Sequence, residues 1–151
     1  MLTRLVPLLL ASTLVYAAEP MPPVAQIQSA RAHVQTLMQR HDQERAEILK
    51  AYQAKDVSTL EKVAARRARA PGFQDADRFM RDEYAPYLKC DTAQVDLGIL
   101  AGAMARNAAR STPALSNIVA TEQADYERSL QICKQRLSVA PAAAWAQYQA
   151  E

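Results

Sequence analysis

Apolar positions along this chain recur at spacings of three, four and seven, and almost nowhere alternate. That periodicity predicts helices and no convincing strand. A long first helix is expected from Val24, with Ile27, Val34, Leu37, Met38, Ile48 and Tyr52 on one stripe. It should break around Lys55-Asp56-Val57. Ser58-Thr59-Leu60-Glu61 then has the form of a capping box, opening a second helix that ends before Pro71-Gly72. A short third helix is predicted over 75–84, ending or kinking at Pro86 because proline lacks the amide that the turn before it needs.

A fourth helix is expected from Tyr87 to about Arg110. Residues 95–105 are apolar on nearly every side except Asp96, which predicts a central, enclosed helix. Ser111-Thr112-Pro113 is a restart signal, with Thr112 as N-cap and Pro113 in the first helical position. The fifth helix should run to about Val139 with Val119, Tyr126, Leu130, Cys133 and Leu137 on one face. Pro141 precedes a short tail carrying Trp145 and Tyr148. The expected fold is an all-α, single-domain bundle of about five helices. It divides into an extended segment over 18–23, a bundle over 24–139 and a tail with a short helix over 140–151.

The two cysteines sharpen this picture. Cys90 lies 21 residues before Ser111 and Cys133 lies 22 after it, so a turn there sets them at equal height on antiparallel helices. Cys90 shares a heptad column with Leu97 and Met104, and Cys133 shares one with Val119 and Tyr126. Equal height and phase meet the requirement that the two Cα atoms approach within about 7 Å. A disulfide is predicted, worth about 4 kcal/mol from loop closure. A redox pair would stand closer in sequence, and a metal site would need further ligands nearby.

The first residues predict export to an oxidising compartment. Arg4, the apolar run over 5–15 and Val15-Tyr16-Ala17 read as a signal peptide over 1–17, cleaved after Ala17. The run is too short to cross a bilayer, which takes about 20 residues, so a soluble mature chain is expected, with no stable membrane insertion. Alanine richness and the absence of an Asn-x-Ser/Thr sequon point to a bacterial periplasm. The 18 basic and 16 acidic residues give a net charge of +2, which falls by one when Arg4 leaves with the leader. Such a balance provides no footprint for nucleic acid.

Chemistry is sparse. Of two histidines, His33 falls on the polar side of the first helix, and His41 shares the column of Ile27, Val34 and Ile48. An interior His41, with Met38 beside it, is a candidate ligand for haem, a metal or a small molecule, although most histidines so placed are satisfied core residues. No nucleophile stands next to a base, so no catalytic residue is assigned and no cofactor is required. The carboxylates Asp75, Asp77, Asp82 and Glu83 lack the glycine turn and regular spacing of a calcium loop. Asp96 and Glu122 are expected at the edges of buried faces.

Three candidate partner-binding surfaces remain. They are the basic run Lys62, Arg66, Arg67 and Arg69, the Tyr84-Ala85-Pro86-Tyr87 corner, and Trp145 with Tyr148. Gly98-x-x-x-Gly102 should let another helix approach closely. The functional expectation is a non-catalytic exported protein that binds another envelope or exported protein, as an inhibitor, chaperone or adaptor does. A small-ligand, haem or metal carrier around His41 is the alternative.

Overall fold

Three glycines in 151 residues, with abundant alanine, glutamine and arginine, leave helix as the cheapest backbone state almost everywhere. The structure, a computed structural model, describes residues 20–69 and 81–151, and these form helices with no strand among them. The expected leader over 1–17, the expected break at Pro71-Gly72 and the expected third helix up to Met80 lie outside the described residues.

Helix α1 spans Val24–Gln53. Its 30 residues are 45 Å long at 1.5 Å each. Pro23 opens it by accepting amide hydrogen bonds from Gln26 and Ile27. The helix stops in a Schellman motif: Asp56 N–H donates to the Ala51 carbonyl and Lys55 N–H to the Tyr52 carbonyl. Lys55 holds the left-handed position there, at φ 54°.

Helix α2, Val57–Ala68, begins immediately afterwards. Its cap is Asp56, whose carboxylate accepts from Thr59 N–H at 3.1 Å and from Thr59 Oγ1 at 2.6 Å. The expected capping box at Ser58 is therefore displaced by two residues. An aspartate at the end of the Schellman turn already faces the orphan amides that Ser58 was expected to serve.

Asp82–Tyr87 form a single 3₁₀ helix, which continues through Pro86 into α3. The expected third helix thus differs in its described part: the turn is tighter than α-helical, and Pro86 does not end it. Tyr84, Pro86 and Tyr87 are buried by it. Helix α3, Leu88–Ala109, and helix α4, Pro113–Ser138, form an antiparallel hairpin. The Thr112 hydroxyl accepts from Leu115 N–H at 3.2 Å, and Pro113 stands in the first turn, as expected from the restart signal. Helix α5, Pro141–Gln149, closes the described chain.

Cys90 and Cys133 are fully buried and disulfide-bonded, with Cα atoms 4.7 Å apart. On its other flank α3 packs against α2 through its small residues. A Cβ built on Gly98 would stand 2.7 Å from Arg67 Cβ, and one built on Gly102 would meet Ala64 Cβ at 3.9 Å. The glycine pair thus serves close helix approach inside the bundle. Helix α1 lies across this layer and buries Ile27, Val34, Met38, Ile48 and Ala51 in a core with Leu60, Val63, Leu97, Leu100, Met104 and Tyr126.

Polar ties fix the elements at three points. Asn107 on α3 donates to the Tyr52 hydroxyl at 2.6 Å and accepts from Ser116 at 3.4 Å, joining α1, α3 and α4. Arg31 donates twice to the Leu137 carbonyl at the end of α4, where no intrahelical donor remains. Buried Arg136 donates to the Ala144 carbonyl and pairs with Glu151, holding α5 in place. Among the described residues no helix is long and apolar enough to cross a membrane.

Candidate functional site

The long stripe of α1 turns His41 into the seam with α4. Its exposure is 0%, its ring stacks on Tyr126 with centroids 5.6 Å apart, and neither ring nitrogen has a hydrogen-bond partner. Asp42, 3.7 Å from Nδ1, is itself largely in solvent. The Tyr126 hydroxyl is likewise buried and unpartnered. Burial holds the His41 pKa below its ordinary value, and the nearby Arg67 guanidinium adds to this; Asp42 and the Ala93 carbonyl oppose them without prevailing. Burial also pushes the Tyr126 phenol up to about 12. His41 is therefore interior, as its heptad column implied, with no partner at hydrogen-bond distance among the described residues.

Met38 is buried one turn earlier on the same helix. Among the described residues no group of three or more His, Cys, Asp or Glu side chains could hold a metal ion. A crevice of about 20 Å³, room for one water, opens beside Tyr126 between Arg45, Leu49, Met104 and Glu127.

The candidate binding residues divide sharply by location. Arg66 and Arg69 are exposed, and Arg66 reaches Glu44 and Glu47 at 3.5 and 3.7 Å. Arg67 turns inward with only 10% of its side chain exposed. It donates to Glu44 at 2.5 Å and to Gln94 at 2.9 Å, a tie between α1, α2 and α3 rather than part of an outward basic face. The signal was present in the spacing, because Leu60, Val63 and Arg67 occupy one helical stripe.

Tyr84 and Tyr87 are 5% and 0% exposed, so their corner is core and not surface. The Tyr84 hydroxyl meets His33 Nδ1 at 3.2 Å, which makes His33 half-buried instead of solvated. The Tyr87 hydroxyl is buried without a partner, and burial raises its pKa. Trp145 is 5% exposed and docked on the bundle, and Tyr148 is half-buried beside it with ring centroids 5.7 Å apart. At the other predicted edge, Asp96 accepts from Ser129 at 2.7 Å, and Glu122 is half-buried.

The surface that sequence reasoning missed lies on α3. Positions 88, 92, 95, 99, 102 and 106 share one face by their alternating spacing of four and three. Leu88 and Ile99 on that face are 39% and 46% exposed, Val95 is half-buried and Arg106 is exposed. The expected enclosed helix is thus covered on two flanks, by α2 and α4, and beneath by α1. Leu88 and Ile99 stay partly open to solvent there. Comparison with protein family models, curated proteins and solved structures gives no match for this chain.

Proposed function

We propose that the chain acts without catalysis, by binding another exported or envelope protein through the outward face of α3. The observation that carries this reading is the exposure of Leu88 and Ile99 on the helix at the centre of the fold. A central helix with a stripe at heptad spacing is suited to take an amphipathic segment laid along it. The exposed Arg106 gives the stripe one polar end. Export fits the disulfide, and a periplasmic location is part of the proposal.

The test is affinity capture from the native envelope with wild-type protein, Ile99→Asp and Arg66→Glu. The reading expects a discrete partner captured by the wild type and lost at least tenfold with Ile99→Asp, whose side chain points away from the core. Retention by Ile99→Asp with loss in Arg66→Glu would transfer the site to the basic edge of α2. Retention by both would refute these faces.

One observation favours a second reading, a small-ligand, haem or metal carrier: the unpartnered nitrogens of buried His41 next to Met38. Protein isolated with a stoichiometric ligand, and losing it in His41→Ala, would establish that reading in place of the first.

A further inference from the structure

His41 is the one described histidine with no exposure, and its surroundings are built for a neutral ring. An imidazole presents one donor and one acceptor when neutral, and two donors when protonated. Here neither nitrogen has a partner at hydrogen-bond distance among the described residues. A protonated ring would hold two charged donors in a buried seam with only the Ala93 carbonyl and the largely solvated Asp42 near them. The groups around it decide whether a counter-charge is at hand. On α1, Asp42 stands 3.7 Å away with 59% of its side chain in water, and Arg45 acts on the neighbouring Tyr126. On α2, Arg67 brings a positive charge, while its own partner Glu44 is already engaged. On α3, Gln94 is taken by Arg67 and Asp96 by Ser129, leaving the Ala93 carbonyl. On α4, Tyr126 covers the ring face, and Glu127 lies at the rim of the crevice beside it. No buried carboxylate is aimed at the ring.

We propose that His41 is an acid-sensitive latch, whose protonation releases the middle of α1 from α3 and α4. The opened state lets the ring protonate at its ordinary value near 6.5, whereas the closed state holds it neutral to lower pH. Closure is therefore fully favoured above pH 6.5 and weakens as pH falls below it, by up to tenfold per unit because one proton is taken up. This window lies above the ordinary range of carboxylates, about 4. Release would uncover Ile48, Met104 and the Tyr126 ring, which form the seam and its crevice. The inference is independent of what binds α3.

Amide hydrogen exchange of the intact, oxidised protein at pH 7, 6 and 5 tests it, after correction for intrinsic rates. Protection over residues 38–48 should fall from pH 7 to pH 5 in the wild type, by at most about twenty-fivefold, the limit for uptake of one proton at an open-state value near 6.5. In His41→Phe it should stay level, and in His33→Gln it should fall as in the wild type. Level protection in the wild type, an unchanged fall in His41→Phe, or a fall abolished by His33→Gln would overturn the latch. Should His41→Phe fail to fold, NMR titration of the wild-type imidazole decides. A midpoint well below 6.5 accompanied by loss of the Tyr126 stack supports the proposal, and a midpoint at or above 6.5 overturns it.

Discussion

At the scale of single residues, two glycines four positions apart make opposite predictions. A methyl at Gly98 would meet Arg67 Cβ at 2.7 Å, so Gly98→Ala must push α2 outward or rotate it, and should cost about 1–3 kcal/mol. A methyl at Gly102 finds only ordinary contacts, the nearest at 3.6 Å, and helix propensity then favours alanine by up to about 1 kcal/mol. Chemical denaturation of the two variants should therefore move the midpoint in opposite directions. Lys55 offers a third case, since its φ of 54° is a conformation that glycine adopts without a Cβ penalty. Lys55→Gly should leave the turn intact and raise the thermal midpoint slightly, whereas a lowered midpoint would mean that the lysine side chain contributes more than its backbone costs.

Residue-level reading of the sequence succeeded where one periodic stripe settles the matter. His41 follows Ile27 and Val34 in steps of seven, and it is buried with them. It failed where residue type competed with position. Arg67 was grouped with Lys62, Arg66 and Arg69 by charge, yet it lies on the line of Leu60 and Val63 and turns inward with them. A long guanidinium arm can satisfy itself against Glu44 and Gln94 from that position, so position prevailed. Tyr84, Tyr87 and Trp145 were candidate anchors by type, and their rings are more stably placed in the core than in water.

At the scale of elements, the break after α1 and the restart at Thr112-Pro113 were legible because each rests on local chemistry. The identity of the second cap was not, because Asp56 and Ser58 both qualify by type and only the Schellman turn decides between them. The hairpin of α3 and α4 was legible in two cysteines at equal distance from a turn. Their bond closes a separation of 43 residues, and its contribution should be about 4 kcal/mol, less whatever the native geometry costs. Equilibrium unfolding of the double variant Cys90→Ala/Cys133→Ala, compared with the oxidised wild type, measures it. A loss below about 1 kcal/mol would show that the α3–α4 contact is sufficient without its covalent tie.

At the scale of the whole molecule, α3 organises everything else and is also the helix that the described residues leave partly open. Its hydropathy was read as enclosure over 95–105, which holds for Leu97, Leu100, Ala101 and residues 103–105 and fails at Ile99, because apolar content reports burial only where a flank has a neighbour. Helix α2 supplies one flank, α4 another and α1 the base, while Leu88 and Ile99 face out. Surface leucines and isoleucines scattered singly carry no message, but Leu88 and Ile99 share one face of a central helix with half-buried Val95 between them. Arg31 ties α1 to the end of α4, Arg136 ties α4 to α5, and Asn107 ties α3 to α1.

Native mass spectrometry of the protein isolated from its own envelope tests the binding account most directly. The account predicts an oxidised chain, two hydrogens lighter than its reduced form, carrying a second protein that is absent when Ile99 is replaced by aspartate. An oxidised chain that carries a metal or small molecule and no protein, or a partner that Ile99→Asp retains in full, would contradict it.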